Sequence, residues 1–78
     1  MTPAVCRAAR ALTGQTQREL ASAANISAQT VADYERGARQ PHQNNILAIR
    51  AVFEEQGIRL IEVDGEITGL DFGSMKRR

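Results

Sequence analysis

The chain has 78 residues, 10 basic and 9 acidic, with a net charge of +1 and 42% hydrophobic side chains, the size of one small domain. A single cysteine excludes an internal disulfide framework and a cysteine zinc site, and a single histidine argues against a histidine metal site. No apolar run approaches the roughly twenty residues that span a membrane, and Arg7 and Arg10 interrupt the apolar part of the N-terminus, which therefore makes a poor signal peptide.

The first helix is predicted over residues 3–12. Thr2 is its cap and Pro3 takes the first helical position, where a missing amide does no harm. Val5, Ala8, Ala9 and Leu12 are expected to face inward, with Cys6 as a small packing residue. Thr16 and Glu19 form a T-x-x-E capping box at the head of a second helix, residues 17–24. Leu20, Ala21 and Ala24 give it one apolar stripe, and the small Ala21 lets another helix approach closely. Asn25 tolerates the left-handed conformation that ends a helix. Ile26 plugs the turn from below. Ser27 caps a third helix, residues 28–36, which buries Val31 and Tyr34 and stops at Gly37. Two helices and a tight turn within about twenty residues make a helix-turn-helix, whose second helix can lie in the major groove of DNA.

A loop with Pro41 leads to a fourth helix, residues 43–56, expected to bury Ile46, Ile49, Val52 and Phe53 and to end at Gly57. Residues 58–63 then read as a strand rich in branched side chains. Asp64-Gly65 is a strong turn signal, and residues 67–72 return. A three-residue loop pairs Leu60 with Leu70, Ile58 with Phe72 and Arg59 with Asp71, an attractive cross-strand pair. A two-residue Asp-Gly turn instead sets Ile58 against Asp71. Side chains favour the first register and turn chemistry the second; a bulge near Gly69 would reconcile them. The first is expected. A lone hairpin is marginal in water and its edges invite another strand. The set Ile58, Leu60, Ile61, Leu70 and Phe72 exceeds what one small helical face needs. A homodimer joined at this hairpin is therefore expected, the alternative being a hairpin that folds back on the first and fourth helices of its own chain.

The pattern Gln17-x-Glu19-Leu20-Ala21-x-x-Ala24-Asn25-Ile26-Ser27-x-x-Thr30-Val31-x-x-Tyr34-Glu35-x-Gly37 resembles the phage-repressor, Cro and XRE, class of helix-turn-helix proteins. Gly37-x-Arg39-x-Pro41, then Ile46, Ile49, Arg50 and Phe53, is similar to that family's next loop and helix, so residues 4–57 are covered. Asn25 stands where glycine is commonest, and His42 where the family often has a capping serine. The resemblance implies a mainly α, four-helix, lambda-repressor-like domain, here with a C-terminal β-hairpin. Residues 3–57 would form the core, 58–73 the dimerisation element and 74–78, with Lys76, Arg77 and Arg78, a disordered basic tail. It further implies an ion pair between Arg10 and Glu35, a Gln17 that meets the DNA backbone while steadying the third helix, and an approach of Arg39, Asn44 and Asn45 to the other flank of the phosphates.

Net charge says little about nucleic acid, but distribution says more. Six arginines and no lysine precede Gly57, and Arg18, Arg36 and Arg39 flank the third helix. The base-contacting set is expected to be Ala28 toward a thymine methyl, Gln29 toward adenine, Thr30, and Asp33 toward cytosine. Phosphate contacts are expected from Thr16 and Gln17 at a helix N-terminus, and from Arg18, Ser27, Arg36, Arg39, Asn44 and Asn45; these position the protein and confer salt dependence. The chain has no Gly-rich phosphate loop, Ser-His-Asp set or metal spacing, so neither catalysis nor a cofactor is expected. The expected protein is a cytoplasmic regulator of transcription, a repressor or autoregulator, bound as a homodimer to an inverted repeat of double-stranded DNA. The alternative is an antitoxin or antiactivator that acts mainly by binding a partner protein.

Overall fold

The computed structural model describes residues 1–71, in the order α1 Pro3–Thr13, α2 Gln17–Ala24, α3 Ala28–Glu35, α4 Gln43–Glu55, β1 Arg59–Val63 and β2 Glu66–Asp71. Phe72 and the basic tail lie outside the described residues.

Each helix boundary has a local chemical cause. Thr2 Oγ1 accepts the Val5 amide at 3.2 Å, and Gly14 ends α1 at a φ of 72°. The capping box closes in both directions: the Glu19 amide donates to Thr16 Oγ1 at 3.0 Å, and the Thr16 amide to Glu19 Oε1 at 2.8 Å. Asn25 takes the left-handed conformation at a φ of 58°, and the next amide, Ile26, reaches back to the Ala21 carbonyl at 2.9 Å. Ser27 Oγ accepts the Thr30 amide at 3.1 Å. At α4 the cap is an imidazole: His42 Nδ1 accepts the Asn44 amide at 3.2 Å. Replacing His42 by Ala should cost about 1 kcal/mol, seen as a thermal midpoint lower by about 4–8 °C; His42→Ser should hold it. Equal midpoints for His42→Ala and the parent would show that the ring caps nothing.

The core is one cluster. Cys6, Ala9, Leu20, Ala21, Val31, Tyr34, Ile49, Val52, Phe53 and Ile58 bury one another, and Ala24, Ile26, Ala28, Leu60 and Leu70 lean on it. Helix α2 packs on both α3 and α4, α1 on α3 and β2, and α4 on β1. Small Ala21, 2% exposed, permits the close approach of α2 to its neighbours.

Three inward assignments need correction, two of them in α1. Ala8 is exposed and Leu12 is 37% exposed, whereas Cys6 is fully buried. Helix α1 is turned so that Cys6 and Arg10 approach α3, beside the buried Val5 and Ala9, in place of Ala8 and Leu12. The reason is a polar attachment to α3, described below. Ile46, expected in the core, is only half-buried.

The hairpin combines the two registers. Asp64 and Gly65 form a two-residue turn with φ of 52° and 79°, as a type I′ turn requires. Val63 pairs with Glu66 and Glu62 with Ile67; past a bulge that leaves Thr68 unpaired, Ile61 pairs with Gly69, Leu60 with Leu70 and Arg59 with Asp71. The extra residue satisfies the turn and the side chains together. Ile58, 2% exposed, and Ile67, 4% exposed, are packed inside their own chain, and Arg50 of α4 reaches Glu62 at 3.7 Å. The hairpin thus folds back on its own helices, and Ile58 has no side-chain surface left for a joint. The exposed apolar residues of the strands are Ile61 and Val63, at 43% and 56%.

Candidate nucleic-acid interface

Helix α3 owes its orientation to its inner side. Val31 and Tyr34 are 0% and 1% exposed. The Tyr34 hydroxyl donates to the Met1 carbonyl at 2.6 Å, and burial, with the nearby Cys6 and Glu66, pushes its pKa up to about 12. The last residue of the helix, Glu35, is only 3% exposed and is the hub of the domain. Arg10 grips it with two bonds, Nε to Oε2 at 2.7 Å and Nη2 to Oε1 at 2.8 Å. Gln17 Nε2 donates to Oε1 at 3.0 Å and the Cys6 thiol to Oε2 at 3.3 Å. Arg7 Nη1 donates to the Glu35 carbonyl. Burial alone would raise the Glu35 carboxyl, but the bonds from Arg10, Gln17 and Cys6 outweigh it and hold the group below the usual carboxylate range. Burial and the Glu35 bond push the Cys6 thiol well up, so it stays protonated, a donor and not a nucleophile. One carboxylate therefore fastens α1, α2 and α3 together.

With that side fixed, the opposite side of α3 faces out. Gln29 is exposed; Thr30 and Asp33 are half-buried; Ala28 is half-buried with its methyl against the core. Ser27 and Thr30 share a hydroxyl bond of 2.7 Å. Gln29 Nε2 donates to Asp33 Oδ1 at 2.9 Å, and Arg36 Nη2 donates to the same oxygen at 2.7 Å. The bonds from Arg36 and Gln29, with the charges of Arg36 and Arg39, lower the Asp33 pKa. Ser27, Gln29, Thr30, Asp33, Arg39 and Pro41 line a shallow depression of about 260 Å³. The structure thus gathers five of the named residues from α3, its cap and the following loop.

Other named residues stand outside this depression. Thr16 is exposed at the head of α2 with its hydroxyl in the capping box. Gln17 has committed its amide nitrogen to Glu35. Arg18, Arg36 and Asn44 are exposed and Asn45 is half-buried at the head of α4. The bonds of Gln29 and Arg36 to Asp33, and of Cys6 and Arg7 to Glu35, were missing from the sequence expectations, whereas the Arg10–Glu35 pair and a Gln17 that steadies the third helix were implied by the resemblance. Gln29, Asp33 and Arg36 stand at i, i+4 and i+7, a spacing that brings side chains together on one helix face and could have shown that Asp33 has near partners. For Cys6 and Arg7 no such signal existed, because their partner Glu35 is distant in the chain. Among the described residues no cluster of His, Cys, Asp and Glu could hold a metal ion, and no helix is long and apolar enough to cross a membrane.

A family model described as Helix-turn-helix matches residues 7–56, more than half of the chain and all of α2 through α4. No curated protein matches the chain.

Proposed function

The chain belongs to the Cro/XRE-type Helix-turn-helix family, and from that premise we propose that this DNA-binding regulator is a repressor or autoregulator that reads an inverted-repeat operator as a homodimer. The observation that carries the reading is the two-sided α3. Its inner side is locked through Val31, Tyr34 and Glu35, while Gln29, Thr30 and Asp33 line an open depression beside Arg39. A helix held this way enters the major groove as a rigid body and loses little conformational freedom on binding. Gln29 meets adenine through its amide. Arg36 and Arg39 lie against the phosphates on either side, with the N-terminus of α2 on the neighbouring strand. Two copies joined at the hairpin set their reading helices about 34 Å apart, one turn of the duplex, so the operator is two half-sites in opposite orientation. Occupying such a site over a promoter blocks transcription.

Selection of bound DNA from a random pool tests this, and an inverted repeat with half-site centres one turn apart is the expected product. Against that operator, Gln29→Ala should cost about 1–3 kcal/mol and relax one base step in each half-site. Arg39→Ala should weaken cognate and scrambled DNA alike and reduce the salt slope by about 1. A pool that emerges unenriched, or a Gln29→Ala protein that loses cognate and scrambled binding equally, would remove α3 from the role of reader.

A further inference from the structure

This inference rests on α3 as the reading helix and concerns how its one exposed reader, Gln29, is aimed. The side chain of Asp33 is 17% exposed, against 67% for its ion-pair partner Arg36. One Asp33 oxygen, Oδ1, receives Gln29 Nε2 at 2.9 Å and Arg36 Nη2 at 2.7 Å. We propose that Asp33 is a positioning residue that sets the specificity of Gln29 and contacts no base itself.

The chemistry of the pair gives the reason. A glutamine amide has a donor end and an acceptor end, and a free one turns over to present them in either order. An ionised carboxylate only accepts. With Asp33 beside it, Gln29 must turn its NH₂ toward α3's own C-terminal side and leave its carbonyl oxygen on the other. Arg36 and Arg39 keep Asp33 ionised, which its lowered pKa reflects. The bond is charge-assisted and about twice as strong as one between neutral groups, so the orientation survives contact with the groove. Adenine presents N7, an acceptor, beside N6, a donor. An amide with a fixed order matches that edge in one direction along the helix, and so tells A·T from T·A. The same carboxylate stands near the DNA backbone, where it repels phosphate; part of the Arg36 charge goes to neutralising it.

Asp33 thus gains specificity at a cost in affinity, the opposite of a direct reader. The test measures binding of the parent, D33A, D33N, Q29A and the double variant D33A/Q29A to operators altered one base pair at a time, by fluorescence anisotropy at fixed salt. D33A should bind scrambled DNA more tightly than the parent. It should also relax the same base step as Q29A, by roughly 5- to 150-fold, with no further relaxation in the double variant, because the two side chains act as one unit. D33N keeps a side-chain carbonyl that accepts from Gln29 and should recover part of the preference, which separates aiming from charge. Relaxation by D33A at a different step, additive with that of Q29A, would make Asp33 a reader of its own base and overturn the inference alone. A parent protein indifferent to every substitution would overturn the assignment of α3 as reader, and this inference with it.

Discussion

Arg10→Met should be the most damaging single substitution outside the apolar core, at about 3–5 kcal/mol. A domain of this length has only about 4–12 kcal/mol of stability in total. The size of the loss follows from where each partner lies: the Glu35 side chain is 2% exposed and the Arg10 side chain 23%. Removing the cation strands a buried carboxylate with Gln17 and Cys6 as its remaining side-chain donors. Removing the carboxylate leaves an arginine that can turn outward to water. Glu35→Gln, which also keeps an acceptor for Cys6, should therefore cost less, about 1–3 kcal/mol. Denaturant melts of the two variants check the order. Equal losses, or a milder Arg10→Met, would mean that the pair is effectively solvated.

The pair also sets a pH dependence. Glu35 has a folded pKa below its unfolded value, so its contribution is fully present above the unfolded value of about 4.3 and is lost as pH falls through the depressed folded one. In Arg10→Met the sign reverses. Burial, the largest influence on the group, then lacks its main opponent and lifts the carboxyl. Its ionisation destabilises the fold as pH rises, and stability should improve on mild acidification where that of the parent falls. A melt series from pH 7 down to pH 3 reads this directly.

The same hub explains what was legible in the chain and what was not. Caps and turns are contracts between residues a few positions apart, such as Thr16 with Glu19 or Ser27 with Thr30, and the helix boundaries follow from them closely. The inward face of α1 is different, because hydrophobicity accounts for only part of it: Val5 and Ala9 are buried as expected, while Ala8 and Leu12 are not. Cys6 and Arg10 face in because Glu35 waits for them from another helix, and apolar periodicity cannot report a polar attachment. The hairpin posed two local rules in conflict, and the chain obeys both by leaving Thr68 out of the ladder. At the candidate interface, types and positions could be read from the motif. That Gln17 steadies the third helix was implied by the resemblance; its partner Glu35 and the commitment of Gln29 to Asp33 were not legible, since an amide's partner depends on side-chain geometry.

Ile61→Lys should lower affinity for a full inverted repeat by roughly 10²- to 10⁴-fold while leaving affinity for a single half-site unchanged. The fold itself says why this substitution, and not removal of the hairpin, is the decisive one. Ile58 and Ile67 are 2% and 4% exposed and belong to the core, so a chain cut before β1 would lose packing as well as any joint. Ile61 is 43% exposed, faces away from the core opposite Gly69, and neighbours Val63, 56% exposed, on the same outer side of β1. An exposed substitution of this kind shifts stability by about 0.5 kcal/mol or less. Among the described residues the sheet has two strands, whose outer edges offer backbone groups to another strand, and a charge placed there opposes such pairing. If two copies join here, the variant should sediment as a monomer with an unchanged melt. Each half-site would then be filled independently, without the high effective concentration that the first bound copy gives the second. An Ile61→Lys protein that still sediments as a dimer and still prefers the full repeat would move the joint away from this hairpin.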